Sequence, residues 1–249
     1  VKTMKLNGRV LHLFDDSALL RAQLEGQAPA DHDAYHYGVN TDAMISGRAC
    51  TLGYTPEILG PYFLENFREV VDKDGVRQGG FQVIVGGDAY GSGSSREVAV
   101  VAHVGAGIEL VVADSFQRIF QENMVYSGMP FTTDRSVVAR LESGEEVDTR
   151  QFFTELPPFF RAVAESGGLM AYGTALLAGD IQPTYAVERP SRPMNSVEKI
   201  IAAKAWRGEE EAFGIGSVQP GDQVLCRPGF RGMHEYTAGM VVDLYQKEW

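Results

Sequence analysis

Between Gly86 and Ala99 the chain reads GGDAYGSGSSREVA, a string whose residue types suit the capture of an acid. Gly91 and Gly93 permit unusual backbone angles and close approach of a ligand. The apolar, β-branched run FQVIV comes before them and a helix-forming run after, which places the turn where a strand passes into a helix. The residues expected to begin that helix are Ser94, Ser95, Arg96 and Glu97. A helix start offers unpaired N–H groups and a partial positive charge. Arg96 adds a planar, permanently charged fork that matches a carboxylate. Together these make a carboxylate pocket with serine hydroxyls at its lip. A glycine/serine turn with a serine cap, common at strand-to-helix junctions, accounts for the same residues without a ligand.

The elements around this turn are legible from pattern. Residues 81–87 form a strand whose nearly continuous hydrophobicity implies burial on both faces. REVAVVAHVGAG is a helix ending at Gly105 or Gly107, and residues 108–114 are a second buried strand. SFQRIFQENMVYSG is a second helix, capped by Asp114 or Ser115 and stopped at Gly128 before Pro130. Strand and helix alternating at these lengths imply βα units on a parallel sheet. Upstream, residues 6–13 read as a first strand, residues 16–26 as a short helix carrying Leu19, Leu20 and Leu24 on one face, and residues 27–38 as a polar loop. Residues 149–178 add a helix and a short strand in GGLMAYGTALL.

The proline-marked PTYAVERPSRP reads as a linker. Beyond it SVEKIIAAKAW is a helix with Ser196 as its cap, and VQPGDQVLC is a turn entering a strand. The run MHEYTAGMVVDLYQKEW has apolar periodicity suited to packing inside something larger, and is read as the opening of a domain that continues past Trp249. The expected architecture is α/β: a parallel-rich sheet flanked by helices over residues 1–182, a linker over 183–194, and a partial second α/β domain over 195–249.

Composition limits the partners. With 44% hydrophobic and 22% charged residues the chain is an ordinary globular one, and its longest apolar runs are strand-sized, too short to cross a bilayer. The N-terminal stretch lacks an apolar core of signal-peptide length, so a cytoplasmic location is expected. A formal net charge of −11 argues against nucleic acid as a main partner. It leaves small anions open, because local arginines and helix starts capture those. The only cysteines are Cys50 and Cys226, too few for a disulfide framework or for a self-contained iron–sulfur cluster.

Three motifs in order carry a family resemblance. VNTDAMISGR, then GSGSSRE, then VVADSFQRIFQENMVYSGMP resemble the small-subunit or swivel domain of the aconitase and isopropylmalate dehydratase superfamily. Ser115, Phe116, Arg118, Ile119, Phe120, Asn123 and Gly128 fall in register with the third motif, and Asp42 takes the acidic position of the first. SVEKIIAAKA, VQPGDQV and MHEYTAGM resemble the start of that superfamily's large, cluster-binding subunit. Two departures stand out. Val98 replaces a histidine usual after Ser-Ser-Arg-Glu, and SGRACTLGYTPE lacks a Tyr-Leu pair common in leucine- and lysine-pathway members.

The resemblance implies a hydro-lyase acting on a hydroxy di- or tricarboxylate, with a 4Fe–4S cluster whose ligands lie outside this chain. It implies a cluster-binding large domain or subunit as partner and no turnover by this chain alone. By position Ser94 would be the base and Asp42 part of the acid–base network. Ser95, Arg96 and, from the other domain, His234 would contact substrate. Arg48 either holds a carboxylate or is simply exposed. His234 read without the resemblance is a satisfied histidine at a domain junction. Two other functions fit the same residues: a non-catalytic regulatory relative, and a small-carboxylate-binding α/β module.

Overall fold

In the computed structural model the described residues are 3–93, 96–181, 190–207, 212–232, 238–239, 241–242 and 246. The chain divides into two compact units, Val1–Tyr172 and Gly173–Trp249. In chain order the first unit contains β1 (Thr3–Met4), β2 (Arg9–His12), α1 (Ser17–Leu24), α2 (Thr41–Met44), α3 (Pro56–Leu59) and α4 (Gly75–Gln78). It continues with β3 (Phe81–Val85), α5 (Glu97–Gly105), β4 (Leu110–Val112), α6 (Arg118–Tyr126), β5 (Phe131–Thr132), α7 (Ser136–Glu142), β6 (Val147–Asp148) and α8 (Pro158–Glu165). The helix α9 (Leu169–Ala178) follows.

Four strands form one sheet in the order β2-β3-β4-β5, every pair parallel. This is the parallel sheet expected from the alternating pattern. All five residues of β3 and all three of β4 are buried, as a sheet covered on both faces requires. Val83, Val85, Leu110 and Val112 pack with Val137, Val138 and Leu141 of α7 and with Met4 and Val147 of the small antiparallel β1–β6 pair. Ile84 lies between Val83 and Val85 in the strand and is equally buried, so the alternation of strand side chains puts it on the opposite face.

Some local expectations change. Of GGLMAYGTALL, residues 169–177 lie in α9 and not in a strand, because Leu, Met and Ala favour helix and only Thr174 among these residues is β-branched. Helix α6 begins at Arg118 with Gln117 as its cap residue, so neither Asp114 nor Ser115 caps it. The Ser115 hydroxyl is already engaged elsewhere, as described below. Helix α5 begins at Glu97, with Arg96 in the cap position.

In the second unit α10 (Ser196–Lys204) is capped by Asn195 rather than Ser196. Asn195 Oδ1 accepts from the Glu198 N–H at 2.9 Å while Glu198 Oε2 accepts from the Asn195 N–H at 2.9 Å. That reciprocal pairing satisfies two orphan donors, an arrangement Ser196 could not make with Glu198 one residue too close. VQPGDQVLC forms a turn, with the Asp222 carboxylate accepting from the Gln219 N–H at 2.9 Å, and then a single bridge from Cys226 to Ala205 where a strand was expected. The linker residues 182–189 lie outside the described residues.

Candidate functional site

The carboxyl ends of the parallel strands carry the candidate site, where the connections after β3 and β4 meet the segment leading into α2. Three stretches of chain are laced there by backbone hydrogen bonds. The Gly38 N–H donates to the Asp88 carbonyl, the Gly91 N–H to Val39 and the Thr41 N–H to Ser92, each at 2.8 Å. The Ser92 hydroxyl donates to the Gly38 carbonyl at 3.0 Å. On the other side the Tyr90 N–H donates to the Ser115 carbonyl at 3.0 Å, and the Gln117 N–H to Tyr90 at 2.9 Å. The glycine-rich turn is therefore the middle strip of a small three-stranded weave, bridged to Asn40 on one edge and Phe116 on the other.

Ser115 and Asp88 stiffen that weave. The Ser115 hydroxyl donates to the Asp88 carboxylate and accepts from the Ala89 N–H at 2.9 Å. Gly91 has φ +80°, and a Cβ built there would lie 2.2 Å from the Phe120 ring, so only glycine fits. Asn40 caps α2, accepting from the Ala43 N–H at 2.7 Å. That cap presents Asp42 in the first turn of α2.

Asp42 and Arg96, picked from separate motifs, are brought into contact: Arg96 Nη1 pairs with Asp42 Oδ1. The same nitrogen donates to the Ile45 carbonyl at 3.2 Å. The Arg96 side chain is 31% exposed and that of Asp42 is 62% exposed, so the pair faces solvent and an incoming anion can compete for the guanidinium. Arg48 stands nearby in sequence at the head of the turn Ala49–Thr51 and is exposed. Its guanidinium makes no hydrogen bond or ion pair among the described residues. Ser94, Ser95 and His234 lie outside the described residues.

Because exposed ion pairs contribute little, Asp42→Asn is expected to tighten binding of a small dicarboxylate such as malate, by up to about fivefold. Calorimetric titration of both chains reads the effect, and weaker binding by the variant would show that Asp42 supports the anion rather than competing with it.

Sequence reading missed a second cluster along the same edge of the sheet. Arg135 Nε donates to Asp114 at 2.6 Å and its Nη2 to the Gly86 carbonyl at 2.8 Å, with its guanidinium 3.9 Å from the centre of the Tyr35 ring. The Tyr35 hydroxyl bonds His12 Nδ1 at 2.9 Å. Burial, helped by the Arg135 charge, lowers His12 to about 4, so it is neutral near pH 7. This cluster fastens the ends of all four strands, and Gly86, where the turn begins, is one of its members. No periodicity marks such residues, since His12 lies at the end of β2 and the others come one each from different connections.

The donor set does not fit an iron–sulfur cluster. Cys50 is a buried free thiol in the first unit and Cys226 an exposed one in the second. Burial raises the Cys50 thiol, which disfavours the thiolate that a metal needs. Such clusters take several thiolates, and the sequence supplies two cysteines in all.

The family model for the aconitase C-terminal domain matches residues 65–135, which contain the turn, Arg96 and the Ser115 segment. The isopropylmalate/citramalate isomerase small subunit of Methanocaldococcus jannaschii is 34% identical over 54% of this chain and 86% of its own length. The 3-isopropylmalate dehydratase small subunit of Halothermothrix orenii is 31% identical over 67% of this chain and 94% of its own. A solved structure of 3-isopropylmalate dehydratase from M. jannaschii is 27% identical, covering 58% of this chain and 92% of that one with a TM-score of 0.41.

Proposed function

Since the chain belongs to the aconitase and isopropylmalate dehydratase superfamily, we propose that its first unit is the substrate-clamping component of a hydro-lyase for a hydroxy di- or tricarboxylate. The supporting observation is the meeting of Asp42 and Arg96 beside the helix start of α5, at the exposed edge of the sheet. In this reading residues 183–194 are a linker and residues 195–249 are large-subunit-like. A cluster would reside on a cysteine-bearing partner domain or chain, where it would supply Lewis-acid chemistry for the leaving hydroxyl.

The chain's own residues do the rest. Arg96 takes one substrate carboxylate in place of Asp42, and Arg48 is free to hold a second. Ser95 adds a hydrogen bond. Ser94 removes the proton from the carbon next to the hydroxyl-bearing one. That C–H pair becomes the new π bond as the hydroxyl departs, and the proton ends on Ser94 Oγ. A serine hydroxyl ionises far above pH 7, so an alkoxide on Ser94 would need positive charge, which Arg96 and the α5 amides would supply. Both act strongly only where water is excluded, which an open edge does not achieve and a covering partner does.

The test is reconstitution. The purified chain is expected to show no turnover of hydroxy acids alone, and activity on addition of a cysteine-bearing partner loaded with its cluster. Robust turnover by the chain alone overturns the partner requirement. Malate binding without any partner-dependent turnover selects the carboxylate-binding module instead. Within the same preparation Arg96→Ala is expected to weaken malate binding about thirtyfold, because a hydrogen bond to a charged group contributes about 2 kcal/mol. Arg96→Lys keeps the charge and loses the fork, and should fall between the two.

A further inference from the structure

The glycine-rich turn is held down by a buried polar pair that the mechanism above does not use. The Tyr90 hydroxyl lies 2.8 Å from His103 Nε2, and both side chains have no solvent exposure. His103 Nδ1 lies 2.7 Å from the Ala99 carbonyl, an acceptor only, so Nδ1 carries the proton and Nε2 accepts from Tyr90. The two residues are 13 apart in sequence, and between them lie Gly91, Gly93, Arg96 and most of α5. Tyr90 is also gripped through its backbone, with its N–H and carbonyl bonded to Ser115 and Gln117. One residue thus joins the β4–α6 connection, the turn and α5. Around it the rings of Phe116, Phe120 and His103 pack at centroid distances of 6.1, 5.7 and 6.0 Å.

An apolar pair of similar size would fill this space at least as well, since replacing both partners of a buried hydrogen bond by apolar groups is close to neutral for stability. What Phe and Leu could not supply is direction. A hydrogen bond fixes the distance and angle between the turn and the helix, and the site depends on both. We propose that Tyr90 and His103 are positioning residues, whose hydrogen bond sets the glycine-rich turn against α5 so that Arg96 and the helix start face one carboxylate together. This deepens the carboxylate-site reading and rests on it. Neither residue touches the substrate; both act through Gly91–Gly93 and Arg96.

The experiment titrates malate into the full chain by NMR or calorimetry and measures urea stability alongside. Tyr90→Phe/His103→Leu is expected to keep wild-type stability and to bind malate about tenfold more weakly, because small misplacements of a binding group lose affinity steeply. His103→Gln keeps an acceptor for the Tyr90 hydroxyl and is expected to bind within about twofold of wild type. Tyr90→Phe, which removes one oxygen, is the second loss-of-contact variant should the double variant not fold, and is expected to bind several-fold more weakly. Wild-type affinity in the folded variant lacking the hydrogen bond overturns the positioning role while leaving the site intact. If the wild-type chain binds no malate, or Arg96→Ala binds as well as wild type, the site reading falls and the positioning role with it.

Discussion

Gly91→Ala is expected to lower the stability of the chain by about 4 kcal/mol, read as a shift in the urea or thermal midpoint. Two costs add. A left-handed alanine costs of order 1–3 kcal/mol, and forcing an atom into a packed core costs a similar amount. The second cost arises because the added Cβ would lie 2.2 Å from the ring of Phe120, which is fully buried and cannot swing away. Gly93 separates the two contributions. It also has positive φ, at +96°, but its Cβ would sit 3.3 Å from Thr41 Oγ1. Gly93→Ala should therefore cost mainly the backbone strain, about 1–2 kcal/mol. Equal losses from the two substitutions would mean that the Phe120 contact is not what fixes Gly91.

Acid is expected to weaken the fold well above the pH at which carboxylates protonate. Burial lowers His103 to about 4, outweighing the hydrogen bond to the Ala99 carbonyl, which acts in the opposite direction. In the unfolded chain the imidazole takes up its proton near 6.5, so between those values the unfolded state binds more protons than the folded one. The stability tied to neutral His103 is complete above about pH 6.5 and is lost as the pH falls toward 4, roughly 2 kcal/mol of it by pH 5 and about 3 kcal/mol in all. His12, also held at about 4 by burial and by Arg135, acts with the same sign. Urea midpoints at pH 5 and pH 7.5 test the assignment by comparing wild type with Tyr90→Phe/His103→Leu. The variant should lose about 2 kcal/mol less between the two conditions. An unchanged slope would place the acid sensitivity elsewhere.

What the sequence made legible follows from how each feature is encoded. The strands β3 and β4 and the helices α5 and α6 showed themselves through long apolar runs and glycine stops, and their order implied the parallel sheet. The site turn stood out because glycine, serine and arginine were concentrated in one short string. Residues 46–80 went largely unread, for they hold only four-residue helices and short turns, and a period of 3.6 cannot declare itself in one turn. Several residues there, among them Leu64, Asn66 and Arg68, take positive φ without being glycine, which no propensity announces. Contacts such as Arg135 with Gly86, or Tyr90 with His103, pair positions that have no common pattern, so only folding reveals them.

The strands β2 and β3 are neighbours in the sheet, yet residues 13–80 intervene between them and run out as a single excursion that returns to the next strand. Asp42 and Arg48 ride on that excursion, whereas Arg96 belongs to the compact run of strands and helices after it. The entropy of closing a loop rises only with the logarithm of its length, about 0.6 kcal/mol for each doubling. Exposed parts of the excursion can therefore change length at small entropic cost, whereas its buried residues, among them Phe14, Met44, Ile45, Phe63 and Leu64, belong to the core. If Arg96 grips an anion as proposed, a lineage could reshape the Asp42 and Arg48 side of the site while leaving that grip unchanged.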